Sequence, residues 1–96
     1  MSIDYIAAIH KHHYKGFKAI MTTSLPGDYD MWLRVRERGK IRALRERGTI
    51  LTEITISPLE FGNYCKGLKR RDFSIASLDA CARAKAMAQR NAEGVG

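Results

Sequence analysis

The stretch "TILTEITISPLEF", residues 49–61, constrains this chain more than any other. Residues 49–56 are dominated by β-branched side chains, which favour a strand, and the strand period puts Ile50, Thr52, Ile54 and Ile56 on one face. Ser57 then stands at an N-cap, Pro58 at the first helical position and Glu60 at the third, the pattern of a capping box. Ile56 and Phe61 flank the box where a hydrophobic staple needs them. A strand must therefore give way to a helix at Ser57, and that helix is predicted to run through Tyr64 and Cys65 and to stop near Gly67.

The rest of the chain is read outward from that joint. "SIDYIAAIHKHHYKG", residues 2–16, carries Ile3, Ile6, Ile9, His10 and His13 at helical spacing, with Ser2 as cap and Asp4 in the first turn. It predicts an N-terminal helix ending near Gly16. "FKAIMTT", 17–23, reads as a strand, and Pro26-Gly27 marks a loop over 24–30. Met31, Leu33 and Val35 alternate with Trp32, Arg34 and Arg36, which predicts another strand. Residues 40–45 make a poorer one, with a phase slip that a bulge would absorb. The segment Arg36–Ile41 returns nearly intact as Arg45–Ile50. On the strand reading, Glu37-Arg38-Gly39 and Glu46-Arg47-Gly48 are hairpin loops ending in glycine. The competing reading makes 31–47 one basic amphipathic helix; Gly39 in mid-segment and the period of two weigh against it. Residues 68–76 read as a basic connection, Ser74 or Ser77 caps a last helix over 78–92, and 93–96 should fray.

The expected fold is a single α+β domain over 1–96. It has an N-terminal helix, a three- to four-stranded antiparallel meander, and two C-terminal helices packed on one sheet face. Cys65 and Cys81 show no paired metal-binding spacing, no signal-like segment opens the chain, and the apolar runs are too short to span a bilayer. These features predict a cytoplasmic, reduced protein with no membrane partner.

Charge directs the functional reading. The formal net charge is +7, and between Arg34 and Arg47 seven basic residues face two acids. A second cluster is Lys66, Lys69, Arg70 and Arg71. The predicted binding surface consists of Trp32, Arg34, Arg36, Arg38, Lys40, Arg42 and Arg47, joined by Lys69, Arg70 and Arg71. The cations would contact phosphates, and Trp32 would stack on a base or a guanidinium plane. This predicts a non-enzymatic protein docking on nucleic acid or a nucleoprotein complex through an arginine-rich sheet face and a basic loop. Helix-turn-helix spacing, RNA-binding aromatic strands, P-loops and dinucleotide-binding glycines are absent.

Two other classes compete. A small domain with surface Arg, Tyr and Trp suits a protein–protein inhibitor or adaptor of an acidic partner. In size and composition it resembles the small inhibitors of phage and mobile elements that block CRISPR effector complexes. A metal-independent ribonuclease would draw on His13, Tyr14, Tyr29, Arg34 and Arg36. His10, His12 and His13 lack the third and fourth ligands of a closed zinc site, and nothing in the sequence orients a Cys–His nucleophilic pair, so no metal, cofactor or catalytic residue is assigned.

Overall fold

A computed structural model of the chain describes residues 2–21, 24–68 and 73–94, with side chains to Arg90. The order is strand β1 (Ser2–Ala8), a 3-10 turn (Lys11–His13), helix α1 (Tyr14–Ile20), helix α2 (Tyr29–Arg47), strand β2 (Thr49–Thr55), helix α3 (Pro58–Gly67) and helix α4 (Ile75–Gly94). The two strands pair in parallel, from Ser2 opposite Thr49 to Ala8 opposite Thr55. The fold is α+β, but the expected antiparallel meander of three or four strands is replaced, among the described residues, by this one parallel pair. A parallel pair needs a crossover, and α1 and α2 supply it.

The joint at Ser57 forms as the sequence predicts. Ser57 Oγ accepts the Glu60 N–H at 3.1 Å and Glu60 Oε1 accepts the Ser57 N–H at 3.0 Å. Ile56 and Phe61 are buried in one core. Glu60 also meets Lys85 of α4 at 2.7 Å. The Lys85 hydrogen bond and then the Ser57 N–H hold the Glu60 carboxyl below its ordinary range, against the opposing effect of burial. A carboxyl lowered in the folded state contributes stability that is present above its unfolded pKa and is lost as pH falls through the folded value. In urea titrations, the stability lost between neutral pH and the acid side of the carboxylate range should be smaller for Glu60→Gln than for the natural protein. Equal losses would show that Glu60 carries no such linkage.

β1 forms where a helix is expected. Ile6 and Ala7 are adjacent and both buried, so this strand is covered on both faces near its end. Such a strand reads as an apolar run without alternation, and Ile3, Ile6 and Ile9 match a helical period by coincidence. After it, His10 Nδ1 accepts the His12 N–H at 3.2 Å and starts the 3-10 turn. Residues 14–20 form α1 where a strand is expected over 17–23. Its buried side is Tyr14 and Phe17, continued by the C-cap residue Met21, a helical spacing. Gly16, expected to end the first helix, lies inside α1 against Pro58; a β-carbon there would stand 3.2 Å from Pro58 Cγ.

The largest correction is α2. Residues 31–36 and 40–45 are not strands, and 37–39 and 46–48 are not hairpin loops: Tyr29–Arg47 is one helix. Asp28 caps it, accepting the Met31 N–H at 2.8 Å. Gly48 ends it at φ 61°, with its N–H on Ala43 and Leu44 carbonyls, a left-handed turn that glycine makes without a steric penalty. Gly39 sits mid-helix with open space where a side chain would go. Gly39→Ala should therefore stabilise the protein by about 0.5–1 kcal/mol, read as a higher thermal midpoint. A lower midpoint would show that a β-carbon at this point of the helix meets a cost that outweighs the propensity gain.

α2 lies along β2, and α4 lies chiefly along β1 and also meets β2. The core between them holds Ala7, Ile9, Phe17, Trp32, Phe61 and Leu78. A two-stranded sheet leaves backbone groups open at its edges, and α4 takes up two of them. Asp79 Oδ1 accepts the Ala7 N–H at 2.9 Å, and Lys85 Nζ donates to the Thr55 carbonyl at 2.9 Å. Ser74 Oγ accepts the Ser77 N–H, so of the two serines considered Ser74 is the cap, and α4 starts three residues before the expected Leu78.

Candidate nucleic-acid interface

α2 carries the cations that the sequence singles out, and its helical period sorts them into two sets. The strip facing the body is Trp32, Arg36, Lys40 and Ala43, at the i, i+4, i+8, i+11 spacing of one helix face. Trp32 is 1% exposed. An indole so placed offers no face to a base, so Trp32 is a core residue and not a stacking platform. The Arg36 guanidinium lies 4.3 Å from its ring centroid, a cation–π contact.

Arg36 is also committed. Its Nη1 donates to Asp79 Oδ2 at 3.1 Å, and its Nη2 lies 3.0 Å from Asp79 Oδ1. Only the first is aligned as a hydrogen bond; the second is a charge contact, with no hydrogen-bond partner for Nη2 among the described residues. Both side chains are largely buried, at 11% and 15% exposure. Lys40 reaches Glu53 of β2 at 2.6 Å and Glu37 at 3.0 Å. The hydrogen bonds to Glu53 and then Glu37 push its pKa above the ordinary lysine value. Arg36 and Lys40 therefore hold α2 to the body, and their charges are committed there rather than to the binding expected of them.

The outer set is different. At about 100° per residue, the positions from Ile41 round to Val35 cover an arc of about 120° that holds Arg34, Arg45, Arg38, Met31 and Arg42 and no acid. All seven are exposed. Asp30 and Glu37 fall outside the arc on one side and Glu46 on the other. Arg34, Arg38 and Arg45 make no ion pair among the described residues, and Arg42 reaches Glu46 only at 3.9 Å. The strand reading leaves Arg45 out of the binding set; its helical spacing from Arg34, Arg38 and Arg42 is the signal that groups it with them.

The remaining candidates scatter. Arg47 is exposed at the far end of α2, near enough to Asp4 to help lower its carboxyl, behind the larger effects of the Tyr5 N–H and Arg83. Lys69, Arg70 and Arg71 lie outside the described residues. Of the ribonuclease set, Tyr14 donates its hydroxyl to the Pro26 carbonyl and Tyr29 to the Ile9 carbonyl, and Arg36 is paired with Asp79. His10 stacks on His12 with ring centres 4.7 Å apart and meets His13 edge-on at 6.1 Å. Among the described residues no group of three or more His, Cys, Asp or Glu is placed to hold a metal, and no helix is long and apolar enough to cross a membrane. Cys65 and Cys81 are buried and form no disulfide, and burial pushes Cys81 up to about 11, far from the lowered pKa of a reactive cysteine.

No family model, curated protein or solved structure matches this chain.

Proposed function

We propose that the protein is a small non-enzymatic binder that docks on nucleic acid, free or within a nucleoprotein complex, through the outer arc of α2. The observation that carries this reading is a helix face bearing Arg34, Arg38, Arg42 and Arg45 without an acid among them. Guanidinium groups match phosphate oxygens in two-pronged geometry and stay charged at any physiological pH. The rest of the chain supports this face: Arg36 and Lys40 spend their charge inward, which leaves the outward arginines unopposed. The compartment in this reading is the cytoplasm, where Cys65 and Cys81 stay reduced.

A salt titration tests it. Each phosphate neutralised contributes about −0.9 to the slope of log affinity against log salt on a duplex, so four arginines should give about −3 to −4. Affinity that stays flat from low to physiological salt would remove the proposal.

A second reading is favoured by one observation. Leu33 and Leu44, 45% and 50% exposed, form an apolar flank of α2 beside Glu37. That flank suits a protein partner, as an inhibitor or adaptor would need. A defined protein retained after nuclease treatment, and lost with Leu33→Ser and Leu44→Ser, would favour this reading over the first.

A further inference from the structure

We infer that the partner of the arginine arc is double-helical B-form DNA, met through its major groove; the inference rests on the nucleic-acid reading above. Three features of α2 narrow the choice. The first is the chemistry the arc lacks. Proteins that hold single strands stack successive bases on aromatic rings, which supplies much of the affinity. The arc carries none: the nearest aromatic in sequence, Trp32, faces the core, and the Tyr29 ring packs against the core, edge-on to Tyr14. Unstacked bases would find guanidinium groups and aliphatic side chains there, with no ring to lie on.

The second feature is shape. Trp32 and Ala43 are the only buried residues of α2, so the helix rests on the body along a narrow strip and stands clear of it elsewhere. A helix with its side chains is about 10–12 Å across, and the major groove of B-form DNA is about 12 Å wide. The major groove of A-form RNA is deep and too narrow for side chains to read. Arg34 and Arg45 are about 16 Å apart along the axis at the helical rise, so the arc lies along a groove rather than touching it at one point.

The third feature is the mixture on the arc. Met31, Val35 and Ile41 alternate with the arginines and are 42%, 43% and 51% exposed. Apolar side chains have a partner in the major groove, the thymine methyl, while arginine takes guanine edges or the flanking phosphates. The RNA minor groove instead presents hydroxyls, which give such side chains nothing to bury against.

The test is fluorescence anisotropy with labelled oligonucleotides of one length and sequence, as DNA duplex, single-stranded DNA and RNA duplex, at one fixed salt concentration. The DNA duplex should bind at least about tenfold more tightly than the single strand, because each missing base stack forfeits affinity, and more tightly than the RNA duplex. A major-groove ligand such as methyl green should displace the protein and a minor-groove ligand should not. Arg38→Gln with Arg45→Gln should weaken duplex binding by about tenfold or more while leaving the thermal midpoint in place, since both side chains are exposed. Equal or tighter binding of the single strand or of RNA, or displacement by the minor-groove ligand alone, overturns the duplex inference and leaves the nucleic-acid reading standing. Failure to bind all three at low salt overturns both.

Discussion

Asp79→Ala is expected to destabilise the fold by about 3–5 kcal/mol, the usual consequence of removing one partner of a buried ion pair. The substitution acts at three places. It leaves the Arg36 guanidinium, 11% exposed, without its counter-charge. It frees the Ala7 N–H at the edge of β1, which Asp79 Oδ1 accepts. It also loosens the hold of α4 on α2, because Asp79 and Arg36 join those two helices directly. For a domain near 100 residues such a loss lowers the thermal midpoint by more than about 10 °C. Asp79→Asn keeps an acceptor for the Ala7 N–H and should fall between the two. Arg36→Met together with Asp79→Leu should recover much of the loss, since apolar pairs of similar volume often replace buried ion pairs without penalty. If Asp79→Ala unfolds at the natural midpoint, the pair is not what fastens α4 to α2.

The second expected result concerns binding alone. Exchanging Arg34, Arg38 and Arg45 for glutamine should lower affinity for duplex DNA on the order of 10²- to 10³-fold near 0.1 M salt, with the salt slope reduced by about 3. The three side chains are exposed and make no ion pair among the described residues, so circular dichroism and the thermal midpoint should not change. Arg36→Gln provides the contrast: it should lower the midpoint, and any loss of binding should follow the fraction unfolded. Arg36 is two residues from both Arg34 and Arg38 in sequence, and it differs from them in lying on the inward side of α2. If Arg36→Gln weakened binding without destabilising the fold, the division of α2 into an inward and an outward set would fail.

The uneven legibility of the fold has a physical cause. The joint at Ser57 is encoded within a few residues: β-branched side chains, a cap, a proline and a glutamate that reaches back. Nothing distant is needed to read it. β1 is stabilised by a partner 47 positions away, and burial of its end on both faces removes the alternation that marks a strand. α2 is hidden for a different reason. Half of its inward strip is Arg36 and Lys40, whose partners Asp79 and Glu53 lie 43 and 13 residues on. Hydrophobic periodicity cannot show a face held by ion pairs, and the half-exposed Met31, Leu33 and Val35 then supply a misleading period of two. For the candidate interface, composition marks the segment that carries the proposed face. Which arginines face outward depends on the helix itself, so a strand reading leaves out Arg45 and takes in Trp32, Arg36 and Lys40.

Gly48 has a bearing on how the interface would work. One residue separates the end of α2 from the start of β2, and its N–H still bonds back to the helix. With no slack there, and with Tyr29 at the other end hydrogen-bonded to the Ile9 carbonyl, the helix is tied to the body near both ends. In the proposed docking, the arginines would stand on a helix already tied to the sheet, and the ordering cost would fall chiefly on their side-chain rotations, about 0.5–1.5 kcal/mol for each.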